Sequence, residues 1–139
     1  MSPFKRSVTA APVGYHDFGL LALRVLFGGM LLLRHGLEKM MNFSRMAAHF
    51  PDPLHVGSKV SLLLVVLAEV VGSLLVILGL FTRVAALILV IELAVAFSLV
   101  HHFRLAGQGN GEMALVYLCA FLVLMLTGPG RWSIDANRR

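Results

Sequence analysis

The chain is poor in charge and almost without cysteine. Of its 139 residues, 14% are charged and 58% hydrophobic, against roughly 25% and about half in soluble domains. A mean hydropathy of +0.86 moves it further from the soluble class. The single cysteine, Cys119, excludes an intramolecular disulfide and a Cys-x-x-Cys redox pair, so thiol chemistry would need a partner protein. Inside an apolar run, Cys119 reads as a small packing residue. No His-x3-His or Cys-x2-Cys spacing supports a metal. The net charge of +5 does not imply nucleic acid, because the cations are scattered at the ends of apolar runs and form no basic stripe. They suit membrane-interface anchors instead. Gly107-Gln108-Gly109-Asn110-Gly111 superficially resembles a phosphate loop, but no strand precedes it and no Lys-Ser/Thr follows.

Four apolar runs are present, at roughly 17–37, 60–80, 84–103 and 112–128. Each is close to the ~20 residues that a helix needs to cross the hydrocarbon core. They predict an all-α integral membrane protein, a four-helix bundle in antiparallel up-down-up-down order, as a single domain over 1–139. Lys5 and Arg6 precede the first run as in a signal peptide. That run holds Arg24, leads into Arg34-His35-Gly36-Leu37-Glu38-Lys39 and lacks a small-x-small cleavage site, so it reads as a retained helix. Phe81-Thr82-Arg83 makes a tight turn between the second and third runs, and residues 107–111 turn the chain before the fourth. Phe43, Met46, Ala47 and Phe50 recur at helical spacing, which predicts an interfacial helix over 42–50. Pro51-Asp52-Pro53 ends it. Lys5, Arg6, Arg83, Arg131, Arg138 and Arg139 fall on the side of the termini, and Lys39, Arg45, Lys59 and Arg104 on the other. The excess places both termini in the cytoplasm.

Arg24, Glu69 and Glu92 lie inside the apolar runs. An ionised group in hydrocarbon costs a few kcal/mol or more, so such residues face protein and pair with one another. At 100° per residue, Arg24, Gly28, Leu31, His35 and Glu38 form one stripe of the first helix, with Lys39 at its edge. Gly28 and Gly29 admit a neighbouring backbone. Glu69 shares its face with Gly72 and Ser73. Counted from the side of the termini, Arg24 lies about 10 Å deep and Glu92 about 13 Å, which matches them for an ion pair. Glu69, at about 20 Å, stands between that pair and the Arg34/His35 level at about 25 Å. On the fourth helix Tyr117 points away from the face of Glu112 and Cys119. His35, His49, His55, His101 and His102 all fall on the side away from the termini, but neighbours such as His101 and His102 diverge by about 100° on a helix. The candidate polar core is Arg24, Glu69, Glu92, His35, Glu38 and Lys39. It serves either as an ion-paired lock on helix register or as a cavity for a proton, a quinone or a small polar ligand. No catalytic residue is singled out.

These residues also fall in a recognisable order. Arg24-Val25-Leu26-Phe27-Gly28-Gly29 and His35-Gly36-Leu37-Glu38-Lys39 are followed by Glu69-Val70-Val71-Gly72 and Leu78-Gly79-Leu80-Phe81-Thr82-Arg83. Gly128-Pro129-Gly130-Arg131-Trp132-Ser133-Ile134-Asp135 closes the set. Over about residues 20–135 the chain resembles the DoxX family of small four-helix bacterial membrane proteins. The resemblance implies the bacterial inner membrane and a place in redox or oxidative-stress metabolism. Some relatives resemble the membrane subunit of a thiosulfate:quinone oxidoreductase. It leaves open whether this chain is catalytic or a non-catalytic membrane subunit. Quinone is the one ligand the resemblance brings forward, with carboxylates to handle protons and Arg24 or His35 to donate hydrogen bonds.

Three readings therefore stand: a quinone-binding helper or a dock for a soluble redox protein, a transporter acting as a homo-oligomer, and a structural membrane scaffold.

Overall fold

The structure is a computed structural model that describes residues 13–138. Lys5, Arg6 and Arg139, used above to orient the chain, lie outside the described residues. The described part is helical with no strand. Helix α1 spans Gly14–Met41, α2 Phe43–Met46, α3 Ser58–Leu78, α4 Thr82–Val100, α5 Glu112–Thr127 and α6 Ile134–Asn137.

Three helices, α1, α3 and α4, are long and apolar enough to cross a membrane. The expected fourth span, 112–128, is the apolar helix α5, but it has 16 residues and rises only about 24 Å. It stops at Gly128, whose φ of 84° leaves the helical region. The chain then folds back beneath the helix ends instead of adding another turn. The expected interfacial helix over 42–50 shrinks to α2. Beyond Met46 the chain turns, and Asp52 reorganises the segment that follows.

Each of the three long helices contains a π-helical turn, at Leu32–Gly36 in α1, Ala68–Gly72 in α3 and Ala96–Val100 in α4. Periodicity at 100° per residue does not foresee these turns. Such turns are frequent at functional sites, because one extra residue re-aims the side chains around it. The core is aliphatic and aromatic: Leu31, Val76, Leu89, Phe121 and Leu124 are buried at the centre. Gly28 lets α1 approach α3, since a Cβ there would sit 2.9 Å from Ile77 Cγ1. Gly29 meets nothing within 4 Å.

The end that carries the start of α1 and the α3–α4 turn is closed by the tail after α5. Arg24 is 1% exposed and donates from Nη2 to the Trp132 carbonyl. The Arg131 N–H donates to Asp17 Oδ1 at 2.8 Å, and Asp135 N–H to Gly79 O at 2.8 Å. The Asp135 carboxylate in turn accepts from Phe81 N–H (2.8 Å), Thr82 N–H (2.9 Å) and the Thr82 hydroxyl (2.8 Å). It therefore caps the first turn of α4 from 53 residues away, satisfying donors that every helix N-terminus leaves open. Gly79, at φ 70°, is the left-handed C-cap of α3, and a Cβ there would collide with Arg24 Nη1 and Ser133.

Burial alone would raise the Asp135 carboxyl, but the bonds from Thr82 and Phe81 outweigh it and hold the group below the usual carboxylate range. A carboxyl lowered by folding stabilises the fold above its unfolded pKa and loses that contribution as pH falls through the folded one. Asp135→Ala is therefore expected to cost about 1–2 kcal/mol in detergent at neutral pH, read from thermal unfolding. The gap to wild type should narrow as the pH drops below the usual carboxylate range.

Candidate functional site

Two of the expected polar residues meet where apolar helices cross. Lys39 Nζ donates to both carboxylate oxygens of Glu69, at 2.8 and 2.7 Å. The Lys39 side chain is 18% exposed and that of Glu69 4%, so this ion pair is inside the protein. Helix direction explains the match. A Cα–Cβ bond tilts toward its own helix N-terminus, so Lys39, near the end of α1, reaches into the membrane. Glu69, on a helix that starts at the loops, leans back toward them. Gly36 permits the close approach. Its Cβ position lies 3.3 Å from Glu69 Cβ and from the Glu69 carbonyl carbon, and 3.0 Å from Val70 Cγ2. The π turns of α1 and α3 thus pack directly on one another, with Glu69 inside one of them and Lys39 about one turn beyond the other.

The pair forms part of the wall of a cavity of about 650 Å³. Most of the lining is aliphatic, and the polar groups in it are His35, Lys39, Glu69 and Glu92 from the expected set, with Ser61, His101, Asn110 and Tyr117. Glu92 is partly buried, and its Oε2 is fully buried with no hydrogen-bond partner among the described residues. Tyr117 is 3% exposed and is held on three sides. Its ring makes edge contacts with His35 (centroids 5.5 Å apart) and Phe27 (6.0 Å) and stacks on Phe121 (6.4 Å).

The expected Arg24–Glu92 pair does not form. Arg24 serves the tail, as described above, where its guanidinium reaches the Trp132 carbonyl and the Gly79–Ser133 contact. Glu92 faces the cavity, and the cation that pairs there is Lys39. Glu38 is exposed and does not line the cavity. Tyr117 and Ser61 are the residues that sequence reasoning passes over. A tyrosine inside an apolar helix, rather than in the interfacial belt where it is common, is the signal that points to Tyr117. Among the described residues no three His, Cys, Asp or Glu side chains gather as a metal set.

The arrangement holds one ammonium against two carboxyls in an apolar pocket, beside an imidazole and a phenol. It can bind a polar head group and can hold a proton at Glu92 Oε2. Breaking a buried ion pair on one side strands the other charge, whereas replacing both partners is often tolerated. Lys39→Met or Glu69→Met alone is expected to destabilise the protein by about 3–5 kcal/mol, and the double variant to recover most of that loss, measured by thermal unfolding of each in the same detergent.

The DoxX family model matches residues 19–102. An uncharacterized protein of Haemophilus influenzae is 37% identical over 133 residues, covering 87% of this chain and 91% of its own. The inner membrane protein YphA of Escherichia coli K12 is 29% identical over 136 residues, covering 87% of this chain and 95% of its own. No solved structure gives a significant match. The family match takes in most of α1 and all of α2, α3 and α4, with the ion pair, Glu92 and His35. The chain belongs to the DoxX family of membrane proteins.

Proposed function

We propose that this protein is a single-domain antiparallel four-helix bundle of the bacterial inner membrane, with both termini in the cytoplasm, and that its cavity binds a lipid-soluble quinone. In this reading it is a non-catalytic helper or membrane subunit in redox or oxidative-stress metabolism, and a soluble redox protein is the partner it would serve. The inner-membrane description of the Escherichia coli relative supports the location.

The observation that carries the ligand is Glu92 Oε2, buried without a partner beside the Lys39–Glu69 pair. Small-molecule sites are largely apolar cavities with a few convergent polar groups, and this one matches that description. A quinone ring offers two carbonyl acceptors. A protonated Glu92 can donate to one, and His35 or Tyr117 to the other. The aliphatic lining suits the ring faces.

The test uses purified full-length protein and decylplastoquinone as the probe. Saturable binding is expected, and quinone should co-purify from membranes under gentle extraction, detected by mass spectrometry. Glu92→Leu removes the unpaired carboxyl without touching the ion pair and should weaken binding about tenfold or more, the loss of one buried hydrogen bond to a polar head group. Absence of both saturable binding and co-purified quinone would sink the proposal.

A further inference from the structure

The cavity is covered on its aqueous side and open on another. Residues 50–54 cross the mouth, and Phe50, Pro51, Pro53 and Leu54 line the cavity from above. Asp52 pins this lid. Its carboxylate accepts from the Ser61 hydroxyl at 2.7 Å, from Gly57 N–H at 2.7 Å and from Val56 N–H at 3.0 Å. The hydrogen bond from Ser61, followed by those from the two backbone groups, holds the Asp52 carboxyl below its usual range. Ser61 is buried and itself lines the cavity, so the lid is tied to the wall. Beside the lid, His101 and Asn110 fill the mouth. His101 Nδ1 lies 2.8 Å from Gly109 O, and Asn110 donates to Gly107 O at 2.6 Å.

The open side runs between α3 and α4. These helices meet closely where Gly72 faces Leu89, at 3.1 Å from the Cβ position. Toward the loops they part, and the Ser58–Leu67 stretch of α3 packs chiefly on the loop-side part of α1. Leu64 of α3 and Ile88 and Ile91 of α4 line the resulting slot, and they remain 52%, 47% and 56% exposed. All three belong to helices apolar enough to span a membrane, so this opening faces hydrocarbon rather than water.

We infer that the cavity is loaded sideways from the bilayer: a lipid-soluble ligand enters between α3 and α4 and leaves an alkyl or isoprenoid tail against Leu64, Ile88 and Ile91. The inference rests on the quinone reading of the polar end and adds to it the route and the seat of the tail. The slot is continuous with the wall that holds Lys39, Glu69 and Glu92. A head bound there can therefore keep its tail in hydrocarbon throughout, whereas a water-borne ligand would have to displace the pinned lid.

The experiment compares decylplastoquinone with trimethylbenzoquinone, which share a ring and differ in the tail. All variants carry Cys119→Ala, because both quinones keep a ring position open to thiol addition. Leu64→Trp and Ile91→Trp each fill the slot. Leu26→Trp places the same bulk on α1 at a position 63% exposed and outside the cavity lining. Both probes should bind the parent and Leu26→Trp alike. The slot variants should lose about tenfold in affinity for the tailed probe, the scale of an overpacked contact, while their affinity for the tail-less one stays within about twofold. If neither probe binds the parent protein, the head-group site itself is refuted and the tail seat with it. If both probes bind and the slot variants affect them equally or not at all, the lateral route is overturned and the head-group site stands. A change in oligomeric state on gel filtration, with affinities unchanged, would assign the slot to a second copy of the chain and would overturn the inference too.

Discussion

A lysine drawn into hydrocarbon must find its countercharge there, and much of this structure follows from how Lys39 meets Glu69. The pair needs two helices whose Cα–Cβ bonds lean toward each other. It needs Gly36 at the contact, where a side chain would push on the Glu69 backbone. It also leaves a second carboxyl, Glu92, beside a cation that is already engaged. The polar character of the cavity is thus a residue of charge balance: one ammonium, two carboxyls and an aromatic wall at Tyr117. The lid serves the same pair, because Phe50, Pro51, Pro53 and Leu54 cover the mouth and Asp52 ties the turn to Ser61 and to the Val56 and Gly57 N–H groups.

The other end of the molecule solves a different problem with the same economy of parts. Arg24 is buried where no carboxylate bonds to it among the described residues, and a backbone carbonyl from the tail receives it instead. That tail also supplies Asp135 to the open donors of α4 and Asp17's partner at Arg131. Residues far apart in sequence therefore hold the start of α1, the α3–α4 turn and the end of α5 as one unit. The cavity lies at the opposite end of the same helices.

The helical class and the three long spans were legible because length and hydropathy act through additive transfer energies, which a single sequence displays in full. That Glu69, Glu92, His35 and Lys39 turn toward protein was legible for the same reason, since charge in an apolar run is costly wherever it falls. Pairing was not. Depth arithmetic matched Arg24 to Glu92, but depth ignores the direction in which a side chain leaves its helix, and Lys39 gains its partner through that direction. The shortness of α5 and the return of the tail depend on long-range contacts at Gly79 and Thr82. Nothing local to residues 128–135 reveals them, although their polar ending was visible. The π turns escaped because a wheel drawn at 100° per residue has no place for an extra residue.

Those π turns make the alignment of the polar groups a matter of counting. The turn at Leu32–Gly36 lies between the buried stripe that begins at Arg24 and the ammonium of Lys39. It lets one face of α1 serve the tail while a rotated face serves the cavity. Winding the same residues evenly as α-helix would rotate everything beyond by most of one residue's ~100°. Lys39 would then turn toward lipid and leave two carboxyls without a cation. The two ends of α1 are thus keyed to each other by a single inserted residue.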